Sequence, residues 1–185
     1  SVALRLVGYS KRDAGFIDNV RGEHTFSHGY IRDGLVAGGA TIEQAAAMAP
    51  DFTYNNYTAG DIGNVAGDNF NEATTVGFRA ALRVDLNDSW TATASVMHQD
   101  LESKGVWDHD PTVGDLQVFR MMPDSLDDEW TQYSLKVEGE IGGGTFAFSY
   151  GDLDRDYEVD ADYSLYSDYY VSGGYVQPYY SCYAA

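Results

Sequence analysis

The chain has 185 residues, enough for one domain with a core, and its formal net charge is −18. So acidic a chain repels phosphate backbones, which argues against nucleic acid as a partner. The 15 tyrosines, 8 phenylalanines and 20 glycines with only 4 prolines favour β structure. The run of roughly 18 apolar residues that a membrane-spanning helix needs is absent from the sequence.

Five segments, at about 2–10, 75–86, 89–101, 130–141 and 145–160, have the patterning of β-strands. The clearest is Val76–Leu86, where apolar and polar side chains alternate and so fall on opposite faces. Asn87-Asp88 and Gly142-Gly143-Gly144 predict short turns, since these residues tolerate positive φ. The sequence therefore predicts an all-β chain of antiparallel hairpins, with one apolar face and one polar face.

The remaining connections are long: residues 12–74, residues 102–129 and a tail over residues 161–185. Thr41 and Gln44 form a capping-box pattern that predicts one short helix, ended by Pro50. Short turns on one side and long loops on the other are typical of outer-membrane barrels. The 11 residues of Val76–Leu86 extend about 36 Å, and a tilt of about 45° leaves about 25 Å, the height of a barrel's apolar band.

Five stretches resemble the strand and loop segments of TonB-dependent outer-membrane receptors; they are Gly8–Asn19, Ala81–Thr93, Gly114–Arg120, Asp128–Leu135 and Leu153–Asp156. The resemblance implies a barrel of about 22 strands with a plug, which imports a siderophore, vitamin or glycan across the outer membrane of a Gram-negative bacterium. It also implies energy supplied by TonB, through segments that this chain does not contain. The chain begins within a strand and has no signal peptide, so we expect residues 1–185 to be one partial-barrel segment of a longer protein. Its partners would be outer-membrane lipid and the remaining barrel strands.

Five strands leave two unpaired sheet edges, and this raises an alternative of a different class. Identical copies could pair edge to edge into a filament or amyloid-like fibre at the cell surface or outside the cell. Stacking in register would repeat the acidic side chains about every 4.8 Å, which opposes that alternative. A third hypothesis is a soluble, acidic binding module that depends on Ca²⁺.

Acidic residues occupy every second position near the end of the last strand: Asp152, Asp154, Asp156, Glu158, Asp160 and Asp162. On one strand they would form a ladder about 6.6 Å apart. One interpretation is a solvated acidic face, and the other is a cation site that binds Ca²⁺ through carboxylate oxygens. The ladder is not an EF-hand, because Tyr157 and Tyr163 replace the required Gly and Glu.

Other candidate sites are weaker. His24 and His28 have a zinc-like spacing only on a helix, which the neighbouring glycines do not favour. The eight tyrosines between Tyr163 and Tyr183 suit sugar stacking, protein contacts or an external loop. Cys182 is the single cysteine, so no intrachain disulfide forms. No nucleophile elbow or phosphate loop is present, and we predict that the chain is not an enzyme.

Overall fold

The computed structural model describes residues 1–58 and 65–172, excluding the side chains of residues 170–172. The described chain divides into two compact units. The sheet unit consists of Ser1–Gly15, Asn71–Gly105 and Ser125–Asp160. The loop unit contains the described parts of Phe16–Phe70, Val106–Asp124 and the segment that begins at Ala161. The Tyr-rich tail beyond residue 172, including Cys182, lies outside the described residues.

Nine strands and three helices follow one another along the described chain. In chain order they are β1 (Val2–Asp13), β2 (Asp18–Asn19), β3 (Glu23–Phe26), α1 (Gly29–Ala37), α2 (Ile42–Met48), β4 (Phe52–Asn55), β5 (Ala73–Asp85), β6 (Trp90–Lys104), β7 (Gln117–Val118), β8 (Ser125–Ile141), β9 (Gly144–Asp160) and α3 (Ser164–Ser172). Since strands dominate and helices are short, the all-β class and the antiparallel hairpins are confirmed.

The sheet unit is one five-stranded antiparallel sheet in the order β1-β5-β6-β8-β9. All five predicted strands are confirmed. β8 begins at Ser125, about five residues earlier than predicted. The prediction missed these first residues because three of them, Asp127, Asp128 and Glu129, are acidic, and acidic residues have low strand propensity. β1 and β9 are the two edges, so the described strands form an open sheet and not a closed barrel. Most side chains of this unit are exposed on one face or the other, and Ala73 is its one buried hydrophobic residue in the described chain.

Both predicted short turns are present, with different geometry. Gly142 and Gly143 adopt φ values of 58° and 82°, which glycine reaches without the steric cost that a Cβ brings. The turn after β5 uses no positive φ at Asn87 or Asp88. Instead the Leu86 N–H donates to the Trp90 carbonyl at 2.8 Å, and the Ser89 N–H donates to the Asn87 side chain at 2.9 Å.

The loop unit has more structure than the sequence predicted. The predicted helix is confirmed as α2, and the Thr41–Gln44 capping box is formed in both directions. α1 has no side-chain cap, so it left no capping signal in the sequence, and none of its residues is buried. The small strands pair as β3 with β4 and, in parallel, β2 with β7. No described helix is long and apolar enough to cross a membrane.

Candidate functional site: the two faces of the sheet

The strand register collects apolar side chains from all five strands into one surface, which we call the apolar band. Its rows run across the sheet through directly paired residues, for example Leu4, Leu82, Ala94, Leu135 and Tyr150. The neighbouring row contains Val2, Val84, Ala92, Val137 and Phe148. Within the sheet unit nothing covers the band: Leu4 is 65% exposed and Tyr150 57% exposed. Exposed apolar surface this continuous marks an interaction site.

Aromatic residues lie at the end of the band nearest the short turns. The Trp90 ring extends across Gly139, where a Cβ would collide with it, and approaches the Phe146 ring to 5.9 Å between centroids. Gly139 is therefore required for Trp90 to lie flat on the sheet. Ile141, beside the Gly142-Gly143 turn, is 59% exposed. This end of the band combines an indole, a phenyl ring and an aliphatic side chain.

The same face becomes acidic towards the other end of the strands. The β8–β9 pairing is continuous from Ser125–Asp160 to Ile141–Gly144, so no bulge at Gly151 changes which face a residue occupies. Five of the six predicted ladder residues lie on β9 on the face that carries the apolar band; they are Asp152, Asp154, Asp156, Glu158 and Asp160. All five are exposed, which agrees with a solvated acidic face.

Asp162 is not part of this ladder, because β9 ends at Asp160. It belongs to the loop unit and is 7% exposed. Its carboxylate accepts hydrogen bonds from the backbone N–H groups of Met121 at 2.6 Å, Met122 at 3.1 Å and Ser164 at 2.9 Å. The acidic residues continue to alternate in the sequence beyond Asp160, but the strand that would place them on one face ends there.

Four further acidic residues, which had not been predicted as part of the ladder, share its face. Glu129 pairs with Asp156 and Asp127 pairs with Glu158, while Asp100 and Glu102 continue the rows onto β6. The signal was present as acidic residues two positions apart, Asp100 with Glu102 and Asp127 with Glu129. These residues lie beside the ladder only because of the register in which β6, β8 and β9 pair. Among the described residues no group of three or more His, Cys, Asp or Glu has the geometry to hold a metal ion.

The opposite face of the sheet, which we call the polar face, has arginine, lysine and hydroxyl side chains behind the apolar band, together with apolar residues such as Val7, Met97 and Leu153. It has its own packing. The Tyr9 ring lies over Gly77, and its hydroxyl is 3.0 Å from the Gln99 side chain two strands away. Arg155 of β9 forms a two-pronged ion pair with Asp128 of β8, at 2.6 and 2.9 Å. This pair is diagonal in the register, so it ties the edge strand to its neighbour.

One carboxylate, that of Glu72, links two strands at the end of the sheet opposite the short turns. Glu72 forms ion pairs with Arg12 of β1 at 2.7 Å and with Lys104 of β6 at 3.1 Å. The hydrogen bonds and charges of these two cations hold the pKa of Glu72 below its ordinary value. The pair of contacts spans β5, which lies between β1 and β6.

The loop unit buries two carboxyl groups, and their environments shift their pKa values in opposite directions. Burial raises the pKa of Asp124 above its ordinary value, although the Asp162 N–H donates to it at 2.9 Å. Burial also acts to raise the pKa of Asp162, but hydrogen bonds from Ser164, Met121 and Met122 outweigh it and lower the pKa. Asp162 is thus a stabilised anion that ties its own segment to the Met121–Met122 segment.

The two histidines with zinc-like spacing have separate contacts in the loop unit. His24 lies in β3, and its Nε2 is 2.9 Å from the Asp168 carboxylate of α3. His28 precedes α1, and its Nδ1 is 2.6 Å from the Pro50 carbonyl. They do not share a helix, so their four-residue spacing does not place the two imidazoles on one side of a helix, as a zinc site of this type requires.

Comparisons of the chain with protein-family models, with curated proteins and with solved structures give no match.

Proposed function

We propose that the five-stranded sheet is a section of the wall of an outer-membrane β-barrel of the TonB-dependent receptor type. The parent protein would import a scarce solute such as a siderophore, vitamin or glycan. The observation that carries the proposal is the two-faced sheet, with a continuous apolar band on one side and, behind it, a mixed face that holds the arginine, lysine and hydroxyl side chains. A barrel wall needs this division, because one face meets hydrocarbon and the other meets water.

The lengths and ends of the strands support the proposal. Strands of 12 to 17 residues exceed the roughly 9–11 residues that span a bilayer at a steep tilt. The surplus carries the acidic side chains beyond the apolar band, where a barrel strand projects into external water. Trp90 and Phe146 lie at the short-turn end, where interfacial aromatic girdles belong.

The open edges support both this proposal and the filament alternative. β1 and β9 each leave one row of backbone groups unpaired within the sheet, and such edges pair readily with further strands. In lipid, an unpaired edge is very costly, so the remaining barrel strands or further copies must complete it. The acidic half of β9 disfavours an in-register stack of identical copies, because like charges would face each other.

Neighbouring residues on opposite faces provide a matched test. In a Cys182→Ser background, Leu82→Cys and Ala81→Cys each introduce one thiol for an environment-sensitive fluorophore, one on each face of β5. We expect a lipid-borne quencher to quench the Leu82→Cys label in vesicles and to leave the Ala81→Cys label unquenched. Equal quenching at both sites contradicts the barrel wall. Filaments with a strand-spacing repeat in electron micrographs, with neither label quenched, would establish the alternative.

A further inference from the structure

A cationic patch lies on the polar face, behind the apolar band. Three consecutive rows of the register on this face contain no carboxylate across all five strands, in a chain whose net charge is −18. The same rows contain four cations: Arg5, Arg79, Arg83 and Lys136. The two rows that hold Arg5, Arg83 and Lys136 also hold four hydroxyl side chains, those of Thr93, Ser95, Ser134 and Ser149, and the row of Arg79 holds the amide of Gln132. Phosphate and carboxylate groups are what such a combination of donors binds.

Three of these cations surround one small residue. Arg5 of β1 pairs directly with Ala81 of β5, and Arg79 and Arg83 lie two residues to either side of Ala81. Diagonal neighbours in an antiparallel pair are about 7–8 Å apart. The alanine methyl group leaves the space between the three guanidinium stems unfilled, so they can converge on one ligand.

The three arginines differ in how far their charges are compensated. Among the described residues Arg5 and Arg79 form no ion pair, while Arg83 contacts Asp85 at 3.2 Å. Arg5 and Arg79 are exposed, as is Arg83, and no other element of the sheet unit covers them. Like charges placed this close repel each other, and a bound anion removes that repulsion.

We propose that Arg5, Arg79 and Arg83 form a binding site for a small polyanion that carries phosphate groups. The planar guanidinium group matches the oxygens of a phosphate with two parallel hydrogen bonds, which a lysine cannot do. The phosphate belongs either to a free solute or to a lipid headgroup. The site depends only on the register of β1 with β5, so it stands whether or not the sheet is part of a barrel.

Calorimetric titration of the purified chain with pyrophosphate at low ionic strength tests the free-solute form. We expect saturable binding, weakened about tenfold by Arg5→Gln and by Arg79→Gln, since each removes hydrogen bonds to a charged group. Arg12→Gln is the matched control, because Arg12 lies on β1 on the opposite face and is paired with Glu72. Circular dichroism of each variant verifies that the sheet has formed.

A second arm compares flotation with phosphatidylglycerol and phosphatidylcholine vesicles. If a lipid headgroup is the source, wild-type protein prefers phosphatidylglycerol and Arg79→Gln loses that preference about tenfold. Pyrophosphate binding with no arginine-dependent lipid preference assigns the site to a free solute. The proposal is overturned if neither probe shows arginine-dependent binding, or if Arg12→Gln weakens binding as much as Arg79→Gln.

Discussion

A charge placed in the centre of the apolar band should expel the chain from lipid. Leu135 lies six residues from Ile141 at the short-turn end, about 20 Å along the strand and about 14 Å in height at a tilt of about 45°. That is close to the middle of a band about 25 Å tall. Leu135 is 41% exposed within the sheet, so a lysine in its place faces outward. A lysine at the bilayer midplane costs about 2–4 kcal/mol.

The expected result for Leu135→Lys is a vesicle partition coefficient at least about 30-fold lower than that of the wild type. Flotation with phosphatidylcholine vesicles, quantified by tryptophan fluorescence, measures it. Gln132→Lys is the control, since Gln132 is exposed on the polar face of the same strand. The polar face already carries Lys136, paired with Glu138 at 2.7 Å. A loss of partitioning in Gln132→Lys equal to that in Leu135→Lys would refute the reasoning.

Three further outcomes follow from contacts within each unit. Gly77→Ala should displace the Tyr9 ring and destabilise the chain by about 1–3 kcal/mol in urea unfolding. Gly8→Ala is the control and should have little effect, because no heavy atom lies within 4 Å of the added Cβ. Equal effects of the two substitutions would contradict the packing described. Asp162→Asn should cost about 1–3 kcal/mol at neutral pH, because a buried anionic acceptor is lost, while Asp124→Asn should be neutral or stabilising because it removes a buried charge. Stability from Asp162, whose pKa is lowered, is present above the unfolded pKa and lost as pH falls through the folded one. The contribution of Asp124, whose pKa is raised, is present below its unfolded pKa and lost as pH rises through the folded one. Asp124→Asn should therefore remove a loss of stability that accompanies rising pH, and Asp162→Asn a loss that accompanies falling pH, so the two variants should change the pH dependence of the unfolding midpoint in opposite directions.

The hairpins could be predicted because their information is local. Alternation with a period of two specifies a strand and the face of each side chain, and Gly142-Gly143 specifies a tight turn. The helix α2 was equally readable, since its capping box lies within four residues. None of these features needs a residue that is distant in the sequence.

The loop unit could not be predicted in the same way. Its buried side chains find their partners far along the chain: the Asn19 carboxamide accepts from the Arg120 N–H at 2.8 Å, 101 residues away. Asn56 donates to the Val20 and Arg120 carbonyls. A polar side chain at such a position looks like an ordinary loop residue until the fold surrounds it.

By itself, the sequence determined the all-β class, the five long strands and the division of each into an apolar and a polar face. The tertiary structure decided which residues became neighbours across the sheet, since register depends on pairing between strands and not on the pattern within one. It separated Asp162 from the acidic ladder, because the strand ended before it, and brought Glu129 and Asp127 beside that ladder. It also gathered Arg5 with Arg79 and Arg83 around Ala81, a cluster drawn from segments more than seventy residues apart.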